Sequence, residues 1–291
     1  MFNVSMKLLA ISDLHLRYEK NKEFILGISE HKTDWLILGG DIGEGIAELK
    51  FAFENLKHKF AKLIWVPGNH ELWTTPEDSN GLKGEKKYQE LVEFCRSYDV
   101  ITPEDEYVKA KFGEHEYLIV PSFLLYDYSF RPVGLPLQDT IQWALEGEIA
   151  SADERYLHAD PFPSVIEWCH SRIEHTKKRL EGISPDLPIV FINHYPLRRD
   201  LVRLHKVPRY APWCGTVLTE EWHKKFNFSV VVSGHLHMRA TDWIDGVRFE
   251  EVSVGYPRQH NSDLISDSFL REILPAEYAE APGPGVLRWS Y

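Results

Sequence analysis

Seven side chains with oxygen or nitrogen donors stand directly after short apolar runs: Asp13, His15, Asp41, Asn69, His194, His235 and His237. Carboxylate, imidazole and amide donors together suit hard or borderline divalent ions such as Mn, Fe or Zn. A thiolate-dominated site would have drawn on Cys95, Cys169 and Cys214. Their odd number and wide spacing fit neither a disulfide framework nor a Cys-x-x-Cys site. Seven ligands are too many for one ion, but two ions can share them if a carboxylate bridges, as in hydrolases that hold metals ~3.5–4 Å apart. Asp41, with two oxygens, is the natural bridge. Singly the pieces carry little, because Asp-x-His arises by chance and a lone buried His is more often a hydrogen-bonded core residue. The ordered set of Asp-x-His, Gly-Asp, Gly-Asn-His-Glu, a run-end His and Gly-His-x-His is far harder to explain as structure alone.

The elements that must hold these donors follow from periodicity. Residues 6–12 are an apolar run closed by Asp13-Leu14-His15, and a helix-compatible stretch covers 20–31. A buried-type strand over 34–38 ends in Gly39-Gly40-Asp41, an amphipathic segment covers 44–60, and a strand over 63–66 ends in Pro67-Gly68-Asn69-His70-Glu71. Three βα units in series imply a partly parallel sheet, in which ligands gather beyond the carboxyl ends of the strands. Gly40, Gly68 and Gly234 precede donors, where tight turns and close backbone approach are needed. Farther along, 85–98 reads as a helix, 107–112 and 117–120 as a hairpin around Gly113-Glu114, and 164–180 as a helix. Strands over 187–192 and 228–232 end in Asn193-His194 and in Ser233-Gly234-His235-Leu236-His237, and Asp245-Gly246 joins a last hairpin. Residues 121–163 break the strand pattern and read as a cap-like insertion with a helix near 137–149. The tail, 260–291, shows only a short helix near Asp267, and 1–291 reads as a single domain.

With 43% hydrophobic and 26% charged residues, the chain is neither disordered nor low in complexity. Its net charge of −11 repels nucleic acid. No stretch approaches the ~18 apolar residues of a membrane span, and residues 1–9 lack the core of a secretory signal, so the expected address is the cytoplasm, with no membrane partner.

The donor set resembles the calcineurin-like metallophosphoesterases over roughly residues 6–254. The resemblance implies an α/β fold, a four-layer β-sandwich flanked by helices (αββα). It also implies two divalent ions, Mn or Fe favoured over Zn. One would take Asp13, His15, Asp41 and His237, the other Asp41, Asn69, His194 and His235. A hydroxide held between such ions would attack the phosphorus of a phosphodiester or phosphomonoester. His70 would stay off the metals and face the leaving-group oxygen. Glu44 occupies the position where protein phosphatases of the superfamily place the Asp that pairs with the equivalent His, and Glu71 competes for that role. Either could instead be a carboxylate favoured at a helix start.

The arginine-bearing extension of protein phosphatases after Gly-Asp is absent, and His70 stands where lipid A-type hydrolases have lost the His. Cyclic nucleotide and other small-molecule phosphodiesterases stay compatible. So does a non-catalytic metal-binding scaffold, although no ligand is missing. A narrower resemblance, carried by His194-Tyr195-Pro196-Leu197-Arg198, Trp213-Cys214-Gly215-Thr216, Gly234-His235-Leu236-His237 and the run from Gly246 to Arg258, is to the bacterial phosphopantetheinyl hydrolase branch. It implies removal of 4′-phosphopantetheine from a carrier-protein serine. Between Tyr195 and Arg209 stand five basic residues against one acid, Asp200. A basic rim carrying Arg198 and Arg199 would steer an acidic acyl or peptidyl carrier protein, with Tyr195, Tyr210 and Trp213 along the arm's channel. Pairing with neighbouring acids, and core packing of the aromatics, are the alternatives.

Overall fold

The computed structural model describes residues 6–76, 81–259, 266–276 and 286–287. Its strands are β1 (Leu8–Ile11), β2 (His31–Leu38), β3 (Phe60–Trp65), β4 (Val108–Phe112), β5 (His115–Pro121), β6 (Ile189–Ile192), β7 (Phe228–Ser233), β8 (Ala240–Ile244), β9 (Val247–Glu251), β10 (Arg271–Leu274) and β11 (Val286–Leu287). They form a four-stranded sheet, β10-β1-β2-β3, and a seven-stranded sheet, β11-β8-β9-β7-β6-β5-β4. The helices are α1 (Glu19–Gly27), α2 (Ile46–Leu56), α3 (Asn69–Leu72), α4 (Gly84–Ser97), α5 (Thr140–Leu145), α6 (Asp153–Tyr156), α7 (Val165–Glu181) and α8 (Trp222–Lys225).

Side-chain alternation builds the layers. Leu8 and Ala10 of β1 and Trp35 and Ile37 of β2 face the other sheet, where they meet Ile119, Val190, Ile192, Val230 and Val232. Their neighbours Leu9, Ile11, Leu36 and Leu38 point to the opposite face, into a separate apolar cluster with helix residues such as Leu49 and Phe53. Strands buried on both faces read as unbroken apolar runs, which is why β1 and β2 look as they do in sequence. Two sheets face to face, each covered by helices, are the expected αββα sandwich. β1, β2 and β3 are mutually parallel, as are β5, β6 and β7. Both turn-based hairpins form, β4–β5 and β8–β9.

The tail departs from expectation. Besides a 3-10 turn at Ser266–Phe269, residues 271–274 form β10, which adds antiparallel to β1, with Ile273 and Leu274 in the inter-sheet core. Four residues are too few to show a period, and the strand exists because β1 offers it an edge. In the segment 121–163 the expected helix is a 3-10 turn at Leu137–Asp139 followed by α5, and α6 comes after it. The segment lies along the loop that follows β3: the Thr74 N–H donates to the Tyr156 carbonyl at 2.9 Å, and Trp73 bridges to Leu157. No helix among the described residues is long and apolar enough to cross a membrane. All three cysteines are buried free thiols.

Candidate metal centre

The parallel strands β1, β2, β3, β6 and β7 deliver their C-terminal loops to one end of the sandwich. Hydrogen bonds from Ser12 N–H to Val252 (3.2 Å) and from Val254 N–H to Ser12 (2.8 Å) tie the two sheets together there. Asp13, His15, Asp41, His235 and His237 all take positive φ, between 43° and 69°. A left-handed conformation costs a non-glycine residue ~1–2 kcal/mol, so five strained donors in one cluster mark a place where geometry overrides local preference. Close approach also requires two of the glycines. A Cβ on Gly68 would lie 2.0 Å from Asp41 Oδ1, and one on Gly234 would lie 2.4 Å from Asp13 Oδ2.

The ligand atoms converge in three groups, each within 4.8 Å: Asp13 with His15 and His237, Asp41 with His194 and His235, and His15 with Asp41 and His70. His237 Nε2 lies 3.0 Å from Asp13 Oδ1 and 3.2 Å from His15 Nε2, and His194 Nε2 lies 3.5 Å from Asp41 Oδ2. Asn69 Oδ1, His194 Nε2 and His235 Nε2 are buried without a hydrogen-bond partner. Buried polar atoms are normally satisfied, so three orphaned donors beside a carboxylate fit a cation. The backing bonds aim them: His194 Nδ1 meets the Gly39 carbonyl at 2.8 Å and His237 Nδ1 meets Gln259 Oε1 at 2.7 Å, leaving Nε2 of each ring turned inward. Electrostatics tie the donors to one another: burial lowers the His194 and His237 imidazoles, yet Asp41 raises the first to about 10 and Asp13 raises the second. Burial alone would raise the Asp41 carboxyl, but His194 and His70 hold it well below the carboxylate range. Asp13 is likewise lowered, burial being overcome by His237. Burial and then His194 push His235 down to about 3, which keeps its lone pair free.

His70 lies against the same cluster, 3.8 Å from Asp41 Oδ2 through Nε2, with its ring on Trp73 at a centroid distance of 3.7 Å. Its other nitrogen is 3.7 Å from Glu44 Oε1, and Arg17 holds the second oxygen of Glu44 at 2.6 Å. Burial lowers the His70 pKa, yet Asp41 and Glu44 leave it raised overall. Glu71 is occupied elsewhere. Its Oε2 accepts from the N–H groups of Asp41 (3.0 Å) and Gly68 (2.9 Å), and its Oε1 from Ile42 (2.6 Å). It pins the two donor-bearing loops together, and Glu44 is the carboxylate beside His70.

The family described as calcineurin-like phosphoesterase matches residues 6–239. The chain belongs to that family. With it the chain joins the phosphoric ester hydrolases that use a dinuclear metal centre. Over 281 residues, 96% of this chain and 85% of the relative, it is 42% identical to the [acyl-carrier-protein] phosphodiesterase PptH of Mycobacterium tuberculosis. The crystal structure of phosphopantetheinyl hydrolase (PptH) from Mycobacterium tuberculosis superposes with a TM-score of 0.90 at 41% identity, covering 95% of this chain and 99% of that one.

In this phosphoesterase four of the donors, Asp41, Asn69, His235 and His237, line an open cleft of about 360 Å³ together with Leu204, Val207, Tyr210, Tyr256 and Arg258. The three residues expected to bind substrate do not line it. Arg198 holds Asp200 through two bonds, 3.0 and 2.6 Å, and donates to the Glu220 carbonyl. Arg199 donates to the Arg131 carbonyl at 3.3 Å. Tyr195 is buried behind a donor, its ring 4.7 Å from that of His235. Arg203 pairs with Asp242 and Arg209 stacks on Trp143, so acids and aromatics of the protein itself take up much of the loop's charge. Trp213 is core, its indole donating to Glu154. The arginine on the cleft is Arg258, 5.4 Å over Tyr256, whose ring stacks on His15 at 4.4 Å. Three further residues of the site, Trp73, Asp153 and Gln259, carry no motif, and a fourth, Tyr256, lies within the run 246–258. Asp153 Oδ1 accepts from Asn69 Nδ2 at 2.9 Å and from the Trp73 indole at 2.6 Å. For Trp73 and Gln259 only adjacency to a motif gave any signal in the sequence.

Proposed function

We propose that this chain hydrolyses the phosphodiester joining 4′-phosphopantetheine to a carrier-protein serine, in the cytoplasm, with Asp13, His15, Asp41 and His237 holding one ion and Asp41, Asn69, His194 and His235 the other. The observation that carries it is the convergence of these donors under an open cleft in a chain 42% identical to an acyl-carrier-protein phosphodiesterase. Bound there, two divalent ions, Mn or Fe by family resemblance, supply Lewis acidity to the phosphoryl group and to the attacking water. The P–O bond to serine breaks, water adds to phosphorus, and the serine oxygen leaves with a proton.

The protein's own residues supply the rest. Glu44, 3.7 Å from Nδ1 of His70, favours the charged ring, and Nε2 donates to the departing oxygen. Leu204, Val207 and Tyr210 give a slender arm an apolar wall. Arg258 puts a cation at the mouth, where an acidic carrier approaches a protein that is otherwise net negative.

Incubation of the manganese-loaded protein with holo carrier protein should lower the carrier's intact mass by one phosphopantetheine moiety, and chelation should abolish the change. An unchanged carrier, with cleavage of a cyclic nucleotide instead, would move the substrate to another class. No metal-dependent hydrolysis of a bis-aryl phosphodiester would leave only a scaffold.

A further inference from the structure

We infer that Asp153, from the segment 121–163, is a positioning residue of the metal centre: it selects the amide orientation of Asn69 and steadies the Trp73 ring on which His70 rests. An asparagine side chain can turn either end toward an ion, and only its oxygen is a ligand. Asp153 removes the choice. Its Oδ1 takes the Asn69 NH₂ at 2.9 Å, so Asn69 Oδ1 is left pointing elsewhere, buried and unpartnered. The same oxygen takes the Trp73 indole N–H at 2.6 Å, which fixes the ring that packs 3.7 Å from His70. Asp153 is itself 1% exposed, at the first position of α6, and the chain around it is tied to 73–74 by the Thr74–Tyr156 bond and the Trp73–Leu157 bridge. One carboxylate oxygen from outside the sandwich thus governs a ligand and, through Trp73, the proton donor.

Because this rests on the seven-donor assignment, the test reads metal binding directly. Chelated full-length protein is titrated with manganese by calorimetry, with circular dichroism and thermal melting of the chelated forms as controls. Asp153→Ala should weaken one of two sites by ~10- to 100-fold, the usual size of an effect from a residue that orients a ligand. Adding Asn69→Asp to that variant should restore most of the loss, since a carboxylate presents oxygen whichever way it turns. A merely structural Asp153 would lower the melting temperature without site-selective loss, and Asn69→Asp would not rescue it. Asp153→Asn keeps an accepting oxygen and should stay within about threefold of the parent. Should the alanine variant fail to fold, this variant decides alone: a tenfold loss with native circular dichroism would overturn positioning. Parent protein that binds no manganese sinks the metal assignment itself. Parent binding with an unaltered Asp153→Ala sinks only the present inference.

Discussion

Glu71→Gln should leave the reaction intact, and Glu71→Ala should destabilise the protein. In the parent, Oε2 accepts two backbone N–H groups, from Asp41 and Gly68, and Oε1 accepts that of Ile42. Glutamine keeps one oxygen. If that oxygen takes the place of Oε2, two bonds survive and the new NH₂ faces the Ile42 N–H, donor against donor. An orphaned buried N–H costs ~1–3 kcal/mol. The charge was itself costly to hold, since burial and then Asp41 push the Glu71 carboxyl up to about 7, and its removal recovers up to ~3 kcal/mol at neutral pH. The two effects are of similar size, so Glu71→Gln should melt within about 4 °C of the parent. Glu71→Ala orphans all three N–H groups and should cost ~3–6 kcal/mol, or roughly 10 °C, after water satisfies some of them.

The assay is thermal and urea unfolding of the chelated proteins, followed by metal content and turnover of those that stay folded. Because Asp41 is a donor and Gly68 precedes one, affinity for metal should fall with stability, and added manganese should recover part of the activity. A Glu71→Gln variant that melts like the parent, keeps both ions and yet loses turnover would falsify the clamp and return Glu71 to the chemistry.

His70→Ala should keep its metal stoichiometry by elemental analysis and lose ~10²- to 10⁴-fold in turnover, the range of general acid-base effects; near-normal turnover removes His70 from the mechanism. Asp41→Asn should lose metal outright, and retention of two ions per chain refutes the bridge. Arg258→Glu should cost roughly tenfold in kcat/KM on a holo carrier protein and less than about threefold on a bis-aryl phosphodiester, with the loss shrinking at high salt. Charge reversal at Arg198 and Arg199, which are engaged within the protein, should instead lower Tm and affect both substrates alike.

What was legible in the sequence, and what was not, divides along the range of the interaction. The donors could be found because strands buried on both faces leave apolar runs, and each run ends where the chain must turn, beyond the strand's carboxyl end, where ligands gather. The hairpins at Gly113-Glu114 and Asp245-Gly246 were legible for the same local reason. β10 was not, because Arg-Glu-Ile-Leu becomes a strand only when β1 lends it an edge. The basic loop misled because a count of charges ignores partners: Arg203 meets Asp242 from 39 residues away, and that pairing exists only in the fold. Glu71 misled by adjacency. It follows His70 in sequence, but successive residues of a helical turn point about 100° apart, so the neighbour in the chain reaches the backbone behind the site. Glu44, 26 positions earlier, comes to His70 across the loop after β2. Asp153 is the extreme case: one of seven acids in the segment 121–163, whose task depends wholly on which donors α6 meets. A chain can therefore keep every motif of this centre and still lose it through a residue that no motif contains.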